Sequence, residues 1–298
     1  MSDPVEIESC TVDIDQWIEK AKADPEAYLE RQVTEIFLAA LGMTTPFAHE
    51  IFLKGGILMG VVYESPRQTG DVDLTAISDP TIETVEALKA ALSEALPRAA
   101  ARLGYPDLLC AVQSSRFMPS EQMFEKARGP ALSLRIGYAR RGGPQEAKFC
   151  AGRSPTILDV DISFREPVNA IQLVRLGETG ETFRAYSLID LIAEKLRALL
   201  QQEVRNRNRR QDIYDIASLL ACFTLDEEEK QTLLDTLCEK SKARAIEPDS
   251  EALSQIEIKE RARKEWDTLS IEIGELPDFD ECFATVDGFY RSLPWSAD

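Results

Sequence analysis

The sequence predicts an α+β protein in which a small mixed or antiparallel sheet with helices is followed by a helical C-terminal domain. Three changes of texture point to this. Apolar residues recur at three and four over residues 12–44, alternate in short β-rich runs between 50 and 164, and return to helical spacing from 187 to the end. The expected units are a helical N-terminal segment (1–45), a core (46–186) and the helical domain (187–298).

The elements follow in order. VDIDQWIEKAKA and PEAYLERQVTEIFLAAL read as helices. EIFLKGG reads as a strand entering a turn, ILMGVVYE as the start of a helix, and GDVDLTAI as a second strand. TIETVEALKAALSEALPRAAARLG is helical, and DLLCAVQSS, ALSLRIGYA and TILDVDISF are three further strands. The last two are expected to form a hairpin around the turn-rich RRGGPQ (140–145). Helices are expected again at SLIDLIAEKLRALLQQ (187–202) and QDIYDIASLLACF (211–223).

Composition excludes several classes. With 34 Lys and Arg against 52 Asp and Glu, the formal charge is −18, which argues against bulk DNA binding. At 44% hydrophobic residues the chain can bury a sizeable core. Its single histidine, His49, excludes a multi-His zinc site. The six scattered cysteines contain no C-x-x-C pair and read as reduced thiols. No run is apolar enough to span a membrane, and the polar, acidic N-terminus is not a signal peptide, so a cytoplasmic protein is expected. Neither G-x-x-x-x-G-K-S/T nor G-x-G-x-x-G occurs.

The first chemical constellation is Lys54-Gly55-Gly56, then fourteen residues, then Asp71-Val72-Asp73-Leu74. Glycines at the start of a helix allow close backbone approach and leave free N–H groups for phosphate. Asp71 and Asp73 are two apart on a strand, so both leave the same face, where they repel each other unless a cation intervenes. A solvated edge-strand face is the plain alternative. In ILDVDISF (157–164), Asp159 and Asp161 form a second carboxylate face opposite an apolar one. Brought together, the two faces make the hard oxygen set that Mg²⁺ prefers. Such a site suits metal-assisted attack on a nucleoside triphosphate.

The helices add misplaced charges. Lys195 falls inside the stripe of Leu188, Leu191, Ile192, Leu196 and Leu199, whereas Arg197 is expected on the polar side. A lysine there must meet an anion or snorkel outward along the stripe. On the next helix Asp212 falls within the apolar face and Asp215 on its border. Lys195 and Asp212 are therefore natural partners, or joint ligands of a charged substrate. Residues 195–210 hold six bases and one acid, either a solvated helix end or a patch for triphosphate or RNA backbone.

Taken together, these residues resemble the AbiEii/AbiGii-type nucleotidyltransferase toxin family of the polymerase-beta-like nucleotidyltransferase superfamily. FLKGGILMGVVYESPRQTGDVDLT (52–75) is similar to that family's K-G-G followed by R-x-S/T-x-D-x-D, and EKLRALLQ with RQDIYDIASL resembles its later motifs. Ile57, Leu58 and Met59 depart from the small or basic residues common after the glycines, and Gln211 stands where an arginine is usual. The resemblance implies a polymerase-beta-like core with Asp71, Asp73, Lys195 and Asp212 catalytic, Asp215 being the alternative to Asp212. It implies Asp71, Asp73 and Asp161 as ligands of Mg²⁺ or Mn²⁺. Lys54, Gly55, Gly56, Arg67, Thr69, Lys195 and Arg209 would bind the nucleotide.

The expected activity is transfer of a nucleotidyl group from a nucleoside triphosphate donor to an acceptor hydroxyl, on the 3′ end of tRNA or on a protein. A role as the toxin of a type IV-like toxin–antitoxin pair, with a cognate antitoxin, is implied by the resemblance. The competing readings are transfer to a small molecule such as an antibiotic, and a non-catalytic nucleotide-binding module.

Overall fold

The computed structural model describes residues 4–67, 69–177 and 180–295. The N-terminal segment is not wholly helical. It opens with strand β1 (Val5–Val12), followed by α1 (Ile14–Glu19) and α2 (Pro25–Gly42). VEIESCTV lies almost wholly exposed at one end of the sheet, so no buried face imposes the period that would have marked it in sequence.

The core runs β2 (Ile51–Lys54), α3 (Gly55–Val61), β3 (Val72–Ala76), α4 (Ile82–Arg102), β4 (Leu108–Met118), β5 (Ala131–Arg140), α5 (Glu146–Cys150) and β6 (Ile157–Phe164). Two strands absent from the sequence reading follow, β7 (Ala170–Leu176) and β8 (Thr182–Tyr186). All eight form one mixed sheet in the order β1-β7-β8-β2-β3-β6-β5-β4, larger than the small sheet expected. β5 and β6 pair antiparallel as the hairpin predicted, though α5 sits within their connection.

The C-terminal part contains α6 (Leu188–Leu200), α7 (Arg210–Cys222), α8 (Glu227–Ala243), a single turn α9 (Ser270–Ile273) and α10 (Phe279–Arg291). Ser187 caps α6 and Asp226 closes a capping box on α8, which fixes where both helices start. Among the described residues no helix is long and apolar enough to cross a membrane.

The sheet's two faces are treated differently. On one, Val72, Leu74, Val160, Ile162, Leu132 and Leu134 are buried, with α2 and α4 packed on that side. On the other, the helical part covers only the β8–β2 half, where Lys240 Nζ sits 4.4 Å from the Tyr186 ring centre. Beyond β3 that face is open: Asp71, Asp161, Arg135, Ser114 and Arg116 are all exposed. The step between covered and open halves runs along β2 and β3.

Candidate active site

The strand register fixes the row of residues along that step. Lys54 lies opposite Asp73 in the antiparallel β2–β3 pair, Asp73 beside Asp161 in the parallel β3–β6 pair, and Asp161 opposite Ser133. Ser133 is in turn opposite Arg116. Residues paired in register share a face, and adjacent strands are about 4.8 Å apart. The two carboxylate-bearing strands of the sequence are therefore neighbours, which brings together the faces that alternation in DVDL and LDVDI gave each of them.

Gly55 and Gly56 are demanded by this row. Gly55 has φ +72°, and a Cβ there would lie 2.2 Å from Asp73 Oδ2. A Cβ on Gly56 would lie 2.7 Å from Thr69 Cγ2 and 2.8 Å from Arg67 Nη2. The start of α3 thus packs directly on Asp73, with Thr69 and Arg67 over it. Side chains at these two positions would push the carboxylate or the Thr69 loop away.

Electrostatics tie the row together. Burial pushes the Asp73 carboxyl up to about 6, with Asp161 and Asp71 adding repulsion and Lys54 and Lys195 opposing it. Burial likewise raises Asp71, helped by Asp159 and Asp161. Asp159 itself pairs with Arg135 at 3.2 Å on the open face.

The cations expected to meet the nucleotide lie against carboxylates. Lys54 pairs with Glu166, which is 6% exposed. Arg67 forks onto Asp215, Nε to Oδ1 at 3.1 Å and Nη2 to Oδ2 at 3.2 Å, and reaches Glu272 at 3.4 Å. Lys195 donates to Asp212 Oδ1 at 3.1 Å and Asp215 Oδ2 at 2.6 Å. Burial disfavours both charges of the Lys195–Asp215 pair, yet each outweighs it for the other: Lys195 is held above and Asp215 below its ordinary range. Lys195 therefore meets anions and does not snorkel. Asp212 is 4% exposed and its Oδ2 has no hydrogen-bond partner among the described residues; Arg209 Nη1 is 3.8 Å from it.

Arg197 corrects the helical reading. It is 7% exposed, pairs with Glu194 and lies within the field of Glu166. The reason is that α6 is enclosed on nearly every side, with α8 and α7 both packed on it, so its polar side does not reach solvent.

Sequence reasoning missed Glu166, Glu272 and Glu30. Glu166 sits in the link between β6 and β7, and Glu30 of α2 flanks Gly70, whose Cβ would lie 2.3 Å from Glu30 Oε1. No spacing rule joins residues this far apart. A second feature was also missed: residues 108–156 hold eight bases and three acids. Of these, Arg116, Arg135, Arg141, Lys148 and Arg153 are exposed along β4, β5 and the α5 connection.

Residues 36–285 match the nucleotidyl transferase AbiEii toxins of type IV toxin–antitoxin systems. The chain belongs to this family. It is accordingly a nucleotidyltransferase, and its sheet and helical part hold the AbiEii-family core. MenT4, a nucleotidyltransferase toxin from Mycobacterium tuberculosis, is 17% identical with a TM-score of 0.55, covering 93% of this chain and 88% of its own. JHP933 from Helicobacter pylori is 16% identical with a TM-score of 0.49, over 91% of this chain and 92% of its own. At such identities the likeness is one of fold. No curated protein matches the sequence.

For an AbiEii-family enzyme the donor set of the row is chemically apt for a hard divalent cation: carboxylates alone, crowded enough to raise one another's proton affinity. Among the described residues, however, no three carboxylate, imidazole or thiol side chains already stand close enough to hold one. Asp71, Asp73 and Asp161 would have to turn toward a cation from adjacent backbones.

Proposed function

We propose that this AbiEii-family enzyme uses Mg²⁺ or Mn²⁺ to transfer a nucleoside monophosphate from a nucleoside triphosphate to a hydroxyl on RNA, and that a cognate antitoxin restrains it in the cytoplasm. The observation that supports this most is the row Lys54–Asp73–Asp161 at the step in the sheet, with a glycine turn packed on Asp73. Asp71, Asp73 and Asp161 would hold the cation, which supplies neutralisation of charge developing on the phosphates. The N–H groups at the start of α3 would face the triphosphate, and Thr69 would lie beside it. Arg67 lies over Gly56 and shares Asp215 with Lys195, and Arg209 stands 3.8 Å from Asp212; a triphosphate would compete with Asp212 and Asp215 for these cations. The acceptor oxygen bonds to the α-phosphorus as the α–β bridge breaks, pyrophosphate leaves, and the hydroxyl proton passes to water on the open side. Holding both partners in line would supply most of the acceleration.

The basic hairpin favours RNA over a protein or small-molecule acceptor. Arg116 lies in the same register row as Asp161, two strands away, and Arg141, Lys148 and Arg153 are exposed toward the other end of the hairpin. A phosphodiester strand laid on this open face would end at the carboxylates, and its binding would weaken with salt. The test is incubation with each α-labelled nucleoside triphosphate, Mg²⁺ and either total RNA or RNase-treated lysate. Label in RNA supports the proposal; label only in protein or in small molecules overturns the choice of acceptor. No transfer of any label refutes the reading.

A further inference from the structure

Glu166 is a buried carboxylate with three donors from three parts of the fold. Thr75 Oγ1, two residues after Asp73, donates at 2.9 Å; Arg244 Nη2, just beyond α8, donates at 2.6 Å; Lys54 Nζ completes the set. Tyr186 donates to Thr75 Oγ1 at 3.0 Å and steadies that side. With two cations beside it, Glu166 is held well below the usual carboxylate range.

Lys54 is also the cross-strand partner of Asp73, so two carboxylates lie within reach of one ammonium. A lysine bonded to Asp73 would occupy the oxygens that a divalent cation needs. The observed pairing is with Glu166, and Lys54 still acts on Asp73 from a distance, favouring its ionised form. We propose that Glu166 is a positioning residue that draws Lys54 aside, so that the oxygens of Asp73 stay open to a divalent cation. This rests on the reading of Asp73 as a cation ligand. Arg244 keeps Glu166 ionised, so the helical part contributes to metal binding without touching the metal.

The test is Mn²⁺ binding to the full chain, without nucleotide, by the electron paramagnetic resonance of free Mn²⁺. Wild type, Glu166→Gln, Lys54→Met, the double variant and Asp73→Asn are compared, with folding checked by circular dichroism. Glu166→Gln should weaken Mn²⁺ binding about tenfold, equivalent to a competing ion pair of about 1.4 kcal/mol. The double variant should regain the affinity of Lys54→Met, because no ammonium remains to compete. Wild-type affinity in Glu166→Gln, or a loss that Lys54→Met does not relieve, overturns the role of Glu166. If Glu166→Gln does not fold, Glu166→Asp keeps the charge but shortens the reach; it should give a smaller loss, again relieved by Lys54→Met, and absence of relief overturns the proposal. Unaltered affinity in Asp73→Asn would instead remove the ligand assignment beneath it.

Discussion

Asp73→Asn separates the chemistry of the active centre from its stability. The substitution keeps shape and removes a carboxylate that burial, Asp161 and Asp71 hold at about 6 against an ordinary 3.8. A difference of about two units corresponds to about 3 kcal/mol, and partial solvent access reduces it to about 1–2 kcal/mol. The folded value exceeds the unfolded one, so wild type is penalised as pH rises from about 4 through about 6, and fully above that. Asparagine does not titrate. In EDTA, Asp73→Asn should therefore melt with wild type near pH 4 and about 2–3 °C higher at pH 8. With millimolar Mg²⁺ and a non-hydrolysable triphosphate the order should reverse, because only wild type gains binding energy. Nucleotidyl transfer should be lost. A variant that melts below wild type at pH 8 without metal, or a melting difference independent of pH, would refute the reasoning.

Lys195→Met strips the cation from two buried aspartates and should lower unfolding free energy by about 3–5 kcal/mol in denaturant melts; a loss under about 1 kcal/mol would mean the cluster is solvated. Arg197→Met should also destabilise in the same denaturant melts, since Glu194 would lose its partner; an unchanged midpoint would mean that the pair contributes nothing. Gly55→Ala must displace Asp73 Oδ2 from 2.2 Å, so transfer should fall about a hundredfold; steady-state rates near wild type would show that the turn yields. Changing Arg116, Arg141, Lys148 and Arg153 to serine should flatten the salt dependence of RNA binding by up to about three units of slope, leaving the triphosphate KM unchanged; an unaltered slope would place RNA elsewhere.

Much of the geometry of the candidate site was legible because its signals are local. Alternation in DVDL and LDVDI put four aspartates on strand faces, and helical phase put Lys195 and Asp212 on one apolar side, where the structure pairs them. What escaped depends on distant partners. Lys54 and Glu166 are 112 residues apart, and Arg67 and Asp215 are 148 apart. The AIQLVRL and TFRAY runs of β7 and β8, one buried almost throughout, show little alternation to mark them. Arg197 was misplaced because helical phase assumes a solvent side, which α6 lacks.

The clasps from the helical part have a consequence for the timing of synthesis. Asp71, Asp73 and Asp161 leave the ribosome early, but Glu166 receives Arg244 and Arg67 receives Asp215 and Glu272 only when nearly the whole chain is made. Arg244 follows Asp73 by about 170 residues, or about 10–30 s of translation at about 5–20 residues per second. Throughout that interval the carboxylate row of the nascent chain lacks the partners that the helical part supplies to Glu166 and Arg67. A chain cut short before Arg244 would keep the carboxylate row and lose the partner that Glu166 takes from the helical part.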